Sequence, residues 1–167
     1  MIIINKSGYL KYKDIKFKCA LGKSGIRKKR TEGDNITPKG NFKIIKIYYR
    51  KDRITKINSA FKLIEIKKNM GWCDDPKSKK YNQLIKLPSK LSYEKLFRKD
   101  HLYDLLIVLD YNMNPVIKNR GSAIFIHLAT KYYNSTKGCI GLKKIDMIEL
   151  IKKNKKNRVD KNIITQL

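Results

Sequence analysis

The chain has 167 residues, a formal net charge of +26, three cysteines and 41% hydrophobic residues. This length fits a single domain over residues 1–167, with a core large enough to need no disulfide staples. No segment reaches the roughly 18 consecutive apolar residues of a membrane span, and residues 1–6 lack the pattern of a signal peptide, so we expect a soluble protein.

The N-terminal part of the chain predicts short strands separated by turns. Met1–Asn5 and Tyr9–Cys19 are predicted strands, and they flank Lys6-Ser7-Gly8, which is typical of a hairpin turn. A charged loop follows from Gly22 to Gly40. It ends in Thr37-Pro38-Lys39-Gly40, where proline fixes φ and glycine permits a positive φ, so we predict a turn there.

The middle of the chain predicts two kinds of strand. Phe42–Tyr49 and Ala60–Lys67 contain alternating apolar residues, the period of a half-buried strand. Leu105–Leu109 and Ala123–Leu128 are continuous apolar runs, which indicate central strands buried on both faces. Residues 110–115 form the predicted turn between them.

Helices are predicted at two places. Ser92 is expected to cap a short helix that runs to Arg98. A second helix is indicated ahead of the basic run Lys152–Lys156 by apolar residues at a 3.6-residue period: Ile145, Met147, Ile148, Leu150 and Ile151. Asn162–Leu167 is the last predicted strand. Together these patterns predict one mainly-β domain with minor helix.

The net charge has two interpretations. The 33 lysines and 7 arginines accompany many Ile, Asn and Tyr residues, whose codons are A/T-rich, so genome composition alone explains a basic surface. The alternative is a surface that attracts nucleic acid, anionic lipid or another acidic polymer. A positive charge made of lysine and little arginine argues against base-specific recognition of nucleic acid. In such recognition the commonest contact is a bidentate hydrogen bond from arginine to guanine. We expect no specific nucleic-acid partner.

The cysteines are Cys19, Cys73 and Cys139. Their odd number and the absence of a Cys-x-x-Cys motif argue against a disulfide framework and against a zinc knuckle. We expect neither a metal nor a cofactor. Cys73 precedes Asp74 and Asp75, and two neighbouring carboxylates make it a poor nucleophile, so we interpret it as a packing residue.

The strongest candidate for chemistry is the pair His127 and Cys139. His127 ends an apolar strand, and Cys139 follows Gly138 where a loop becomes an apolar segment. Gly138 permits a tight turn that exposes the thiol and aims backbone N–H groups at an oxyanion. An imidazole beside the thiol would accept its proton and return a proton to a leaving amine. The alternative interpretation is a buried structural cysteine and a structural histidine.

Two further charged segments are weaker candidates. His101, beside Asp100, is expected to face solvent. Glu32-Gly33-Asp34 is interpreted chiefly as a turn, with contact to a cationic substrate group as the alternative.

Several separated motifs together resemble one family. His127 followed by Thr136-Lys137-Gly138-Cys139-Ile140 resembles the His…[Ser/Thr]-x-Gly-Cys-[Ile/Val] signature of the L,D-transpeptidase (YkuD-like) catalytic domain. The resemblance extends over about residues 19–155 and includes the following segments in order: Gly22–Ile26, Glu32–Phe42, Gly71–Pro76, Leu102–Leu105 and Gly121–His127.

The resemblance implies a single-domain β-sandwich or barrel, active on peptidoglycan stem peptides in cell-wall formation and cell shape. Cys139 would form a thioester at the L-centre of the third stem residue, a diamino acid, with release of D-alanine. An amine acceptor would give a 3–3 crosslink, whereas water would make the protein an L,D-carboxypeptidase. Carbapenem-type β-lactams are expected to acylate the same thiol.

The resemblance also implies roles for individual residues. His127 would be the acid/base, the Leu128 carbonyl would orient its ring, and Gly138 would contribute to the oxyanion hole. Thr136, Ser122 and Gly121 are expected to bind substrate, and the protein is expected to be a monomer. Many members carry arginine shortly after the nucleophile, where this chain has Gly141, so carboxylate binding must come from elsewhere.

Two matters stay open at this point. The family implies the cell envelope, but no export signal is visible, so a cytoplasmic location is the alternative. The competing function is that of a catalytically inactive basic protein that binds an anionic polymer or nucleic acid.

Overall fold

A computed structural model of the protein describes residues 1–55, 57–153 and 162–166. Within these residues it contains fourteen strands and one helix. The strands are β1 (Ile2–Asn5), β2 (Tyr9–Tyr12), β3 (Ile15–Ala20), β4 (Ile26–Arg27), β5 (Thr37–Pro38), β6 (Gly40–Tyr49), β7 (Leu63–Glu65), β8 (Met70–Cys73), β9 (Leu84–Lys86), β10 (Tyr93–Lys95), β11 (Leu105–Leu109), β12 (Phe125–Leu128), β13 (Ile140–Leu142) and β14 (Asn162–Gln166). The helix is α1 (Lys144–Lys153).

Nine of the strands form one curled sheet. Its order is β11-β12-β13-β3-β2-β1-β14-β6-β7, and β6 also pairs with β11 at the opposite end of this order. Because that pairing joins two distant strands, the sheet curls round on itself. A three-stranded sheet, β10-β8-β9, and the short pair β4-β5 complete the architecture. The prediction of a mainly-β fold with minor helix is confirmed.

The N-terminal hairpin is confirmed, but its second predicted strand is wrong. β1 and β2 pair antiparallel, with Asn5 opposite Tyr9. Tyr9–Cys19 divides into β2 and β3, which pair with each other. The chain reverses at Lys13, whose φ of 53° lies in the left-handed region. The alternation of apolar residues continues on both sides of this turn, so periodicity alone did not reveal it.

The loop from Gly22 to Gly40 also contains strands. β4 and β5 pair in parallel, and the Lys39 N–H donates to the carbonyl of Arg27. The turn predicted at Thr37-Pro38-Lys39-Gly40 is therefore wrong, because Thr37 and Pro38 form β5 and Gly40 begins β6. Of the predicted strand Ala60–Lys67, only β7 pairs with the sheet.

The two central strands are confirmed, since every residue of β11 and β12 is buried. β11 matches the predicted range, whereas β12 begins two residues late. Ala123 has a φ of 52°, which interrupts the extended backbone. Residues 110–115 lie in the connection between these strands, as predicted.

The helix predicted from Ser92 to Arg98 is wrong. This segment contains β10, in which Tyr93 lies opposite Cys73 and Lys95 opposite Gly71 in β8. The Ser92 hydroxyl donates to the Asp74 carboxylate at 2.6 Å instead of capping a helix. Tertiary pairing therefore overrides the local cap signal.

The C-terminal predictions hold where the chain is described. α1 begins one residue before Ile145 and buries Met147, Leu150 and Ile151, but Ile145, the first residue of the predicted apolar period, is 71% exposed. β14 confirms the last strand as far as residue 166. Leu167 and residues 154–156 of the basic run lie outside the described residues. Across the described part of the chain, no helix has the length and apolarity required to span a bilayer.

Two apolar clusters fix the strands that carry the candidate site. One lies inside the curled sheet and includes the buried face of α1. The other packs the three-stranded sheet against β11 and β12. In this second cluster the Trp72 and Phe125 rings meet edge to face, with centroids 5.2 Å apart. Since β12 bears Phe125 and His127, this packing holds the site strand rigidly.

Candidate active site

The sheet brings the two predicted catalytic residues together. β12 and β13 are parallel neighbours, with Ile126 opposite Ile140 and His127 opposite Gly141. Cys139 immediately precedes β13 and therefore lies beside β12, close to His127. Both side chains line one cavity of about 270 Å³, which we call the imidazole cavity.

The His127 ring is held in one orientation. Its side chain is buried, and its Nδ1 lies 2.8 Å from the carbonyl oxygen of Leu128. Because a carbonyl only accepts, Nδ1 carries the proton, and in the neutral ring Nε2 is left as the acceptor. The Tyr103 ring packs against the imidazole with centroids 5.6 Å apart.

Cys139 is half-buried as a residue, whereas Cys19 and Cys73 are buried. Its Sγ donates to the carbonyl oxygen of Ala123 at 3.1 Å and accepts from the N–H of Phe125 at 3.4 Å. Both partners lie in or next to β12. The sulfur is thus tethered to the strand that carries the histidine.

Electrostatics keep both groups neutral at rest. Burial, together with the negative charge of Glu94, raises the pKa of Cys139 to about 12. Burial lowers the pKa of His127; the Leu128 carbonyl opposes this effect, and the Arg98 charge adds to it. The resting pair is therefore a thiol and a neutral imidazole, so the imidazole can act as a base when the thiol loses its proton.

The turn before Cys139 is fixed by Thr136 and Gly138. The Thr136 hydroxyl donates to the Cys139 carbonyl at 2.6 Å and accepts from the Gly138 N–H at 3.1 Å. Gly138 has a φ of 131°, and a Cβ there would lie 2.8 Å from the Ile36 carbonyl oxygen, which only glycine tolerates. The N–H that the sequence assigns to an oxyanion hole is bound to Thr136 in this conformation.

The three predicted substrate-binding residues do not line the same cavity. Thr136 lines the imidazole cavity. Ser122 lines a neighbouring cavity of about 290 Å³, which we call the acidic cavity, and Cys139 lines this cavity too. Gly121 contributes to neither lining; its N–H donates to the Tyr81 hydroxyl at 2.9 Å. A Cβ at Gly121 would lie 2.0 Å from Lys29 Cε, so this glycine makes room for the lysine.

Four polar residues near the thiol were not predicted as site residues. Glu94, Arg98, Tyr103 and Lys137 all line the imidazole cavity. Tyr103 donates to the Glu94 carboxylate, and the Arg98 guanidinium lies over the Tyr103 ring. Tyr103 and Lys137 belong to segments that resemble the family. Glu94 lies in β10, whose pairing with β8 local patterns do not predict, and Arg98 follows three residues after this strand.

The other residues that the sequence analysis weighed, His101, Cys73 and Asp75, line neither of the two cavities. The His101 side chain is 79% exposed and contacts Asp104 at 2.7 Å, which confirms that it faces solvent. Cys73 is fully buried, as expected of a packing residue. Asp75 accepts from the Lys77 N–H at 2.9 Å.

The Glu32-Gly33-Asp34 segment has two roles. Asp34 organises the loop, because it binds the buried Lys29 ammonium and accepts from the Arg30 and Thr31 N–H groups. Glu32 instead faces the acidic cavity. The described residues contain no group of three or more His, Cys, Asp or Glu side chains placed to hold a metal ion.

The comparisons with known proteins agree with this architecture. The family model described as the L,D-transpeptidase catalytic domain, YkuD, matches residues 1–160 of the chain. No curated protein matches it.

Proposed function

Because the chain belongs to the family of L,D-transpeptidase catalytic domains, whose activity is on peptidoglycan, we propose that it is a cysteine acyltransferase for stem peptides. Cys139 is the nucleophile and His127 is the acid/base in this proposal. The observation that supports it most strongly is their shared cavity. The Nδ1 contact of His127 with Leu128 adds to this support, because it leaves Nε2 to accept a proton.

The first half-reaction forms a thioester. Cys139 Sγ gives its proton to His127 Nε2 and attacks the carbonyl carbon of the stem peptide. The carbon–nitrogen bond to the terminal residue breaks, and the leaving amine takes the proton from His127. The thiol must first exchange its bond to the Ala123 carbonyl for one to the imidazole.

The second half-reaction restores the thiol. An acceptor amine attacks the thioester carbon and gives a proton to His127, which returns it to the departing sulfur. The product is then a crosslinked stem. Water in place of the amine gives a free carboxylate, which is the L,D-carboxypeptidase outcome.

Arg98 and Lys137 supply positive charge to the cavity in the absence of an arginine at Gly141. Arg98 already binds the exposed Asp100 at 2.5 Å and is also close to His127. We assign substrate carboxylate binding to these two cations, because guanidinium and ammonium groups are the usual partners of carboxylates.

Gly138 can contribute to an oxyanion hole only if its N–H changes its hydrogen-bond partner. Its N–H must leave the Thr136 hydroxyl in order to donate to the substrate oxygen. Thr136 therefore positions the nucleophile turn and sets the availability of this donor.

The test is product analysis on a defined muropeptide mixture with two histidine variants. We expect His127→Gln to lower product formation by about 100-fold or more, the scale of general acid–base catalysis. His101→Gln is the matched control, because that imidazole faces solvent. Dimers indicate transfer and tripeptides indicate hydrolysis; equal activity of the two variants would remove His127 from the mechanism.

A further inference from the structure

The segment that leads into β12 contains an alanine in an unfavourable backbone conformation. Ala123 is buried and has a φ of 52°, in the left-handed region. For a residue with a Cβ this region is disfavoured roughly five- to thirtyfold, because the Cβ comes too close to the following carbonyl oxygen. Such a conformation persists only where the surrounding structure holds it, and it often marks a functional position.

The group that holds Ala123 is the side chain of Asn82. Its Oδ1 accepts from the Ala123 N–H at 3.0 Å and from the Trp72 indole N–H at 2.9 Å. Its Nδ2 donates to the carbonyl oxygens of Tyr111 and Asn112 at 2.9 and 2.8 Å. The amide thus uses both its donors and accepts two hydrogen bonds, so its position in the buried interior is fixed.

The other end of Ala123 contacts the thiol. Its carbonyl oxygen accepts from Cys139 Sγ at 3.1 Å, so one residue joins the Asn82 amide to the sulfur. With the N–H held, φ decides where the carbonyl points. A return to an ordinary negative φ would rotate that carbonyl by more than about 100° and break its bond to the sulfur.

We propose that Asn82 is a positioning residue for the nucleophile. It keeps Ala123 in the left-handed conformation, and the Ala123 carbonyl then holds Cys139 as a neutral thiol beside β12. Asn82 lines neither the imidazole cavity nor the acidic cavity, so it acts through Ala123 and touches no substrate there. The inference rests on the proposed function only in that it takes Cys139 as the nucleophile.

The contact with the Ala123 carbonyl has a measurable consequence for the thiol. A carbonyl that accepts from an S–H group stabilises the thiol relative to the thiolate. Loss of one such hydrogen bond should raise the thiolate fraction about fivefold at a pH below the thiol pKa. Glu94 and Lys137, the charged side chains that line both cavities with Cys139, stay in place in every variant below.

The test is the rate at which iodoacetamide alkylates Cys139 in the full chain at about pH 8, where the thiolate is the reacting form. Intact mass and peptide mapping follow the reaction. Asn82→Gly removes the amide but tolerates the φ of 58° at this position, and we expect it to speed alkylation about fivefold. Adding Ala123→Gly should bring the rate back to within about twofold of the wild type, because glycine adopts a left-handed φ without strain.

This rescue separates positioning from a structural role. If Asn82→Gly only loosened the fold, a second glycine would loosen it further and speed alkylation again. Asn82→Ser is a second variant, since its hydroxyl ends one atom nearer the backbone than the amide oxygen but keeps a polar group at this position. It should speed alkylation as Asn82→Gly does, and a melting curve for each variant records that it is folded.

Asn112→Gly is the matched control. Asn112 also has a left-handed φ, of 51°, and its side chain bonds to Ile117 and Gly121 in the same connection. Its alkylation rate should stay within about twofold of the wild type. An unchanged rate in both Asn82 variants, an equal increase in Asn112→Gly, or an increase that Ala123→Gly does not reverse would overturn the inference. Failure of the proposed function is distinguishable, because it would appear as absent peptide products, whereas alkylation requires no acyl transfer.

Discussion

At the scale of single residues, the Cys139 turn depends on one hydroxyl group. Thr136 joins the Gly138 N–H and the Cys139 carbonyl, and its own backbone bonds to Leu21 and Lys23 tie it to the neighbouring loop. The turn that presents the sulfur is thus held by both the side chain and the main chain of Thr136.

Thr136→Val should slow acylation of Cys139 by about fivefold, because it removes the hydrogen bond to the Cys139 carbonyl, worth about 1 kcal/mol, which persists when the Gly138 N–H turns to the substrate oxygen. Thr136→Ser should retain most of the rate, since it keeps the hydroxyl. The measurement is the rate of adduct formation with a carbapenem, followed by intact mass, beside a melting curve for each variant. A valine variant as fast as the serine variant would show that the hydroxyl does not position the nucleophile.

Some of the site could be predicted from the sequence and some could not. His127 and Cys139 stand out because a Gly-Cys step follows an apolar run that ends in histidine, and adjacent strands bring such residues together. Glu94 cannot be identified in this way, because it lines the cavity beside the thiol only through the pairing of β10 with β8. Sequence patterns report local conformation, whereas the position of Glu94 depends on which strands pair.

At the scale of elements, burial decides which strands can be predicted from the sequence. β11 and β12 are buried throughout, so their sequences are continuously apolar and unambiguous. β10 has a half-buried tyrosine and two charged residues, a composition that local propensity does not identify as a strand. Its conformation is set by its partner strand.

The loop between β4 and β5 depends on Asp34. Partial burial opposes ionisation of Asp34, but hydrogen bonds from Lys29 and from three backbone N–H groups lower its pKa overall. A carboxylate with a lowered pKa contributes stability above the ordinary aspartate pKa of about 3.9, and this stability is lost as the pH falls through the lower folded value.

We therefore expect Asp34→Asn to lower the free energy of unfolding by about 3 kcal/mol at pH 7, because it leaves the buried Lys29 ammonium unpaired. The loss should be constant between pH 5 and 7 and should shrink below about pH 4. Urea unfolding at several pH values measures it. Asp75→Asn is the control, since that side chain contacts one backbone N–H; equal losses in both variants would contradict the role given to Asp34.

At the scale of the whole molecule, the net charge of +26 predicts adhesion to any polyanion. A charge made mainly of lysine attracts phosphates without reading bases. The candidate site is mixed in charge instead, because Arg98 and Lys137 line the imidazole cavity whereas Glu32, Asp74 and Glu94 line the acidic cavity.

Binding to duplex DNA should occur at about 50 mM salt, fall steeply by about 200 mM and show no sequence preference, because its free energy comes from counterion release. A gel-shift series with two unrelated duplexes measures this. Tight binding of one duplex at high salt would contradict a purely electrostatic surface and would favour a nucleic-acid function.

The most direct test of the account is the site of covalent modification by a carbapenem. We expect intact-mass spectrometry to show one adduct, peptide mapping to locate it on Cys139, and Cys139→Ala to remove it. Cys19 and Cys73 serve as controls within the same chain, because both thiols are buried. An adduct that persists in Cys139→Ala, or that maps to either buried cysteine, would contradict the assignment of Cys139 as the nucleophile.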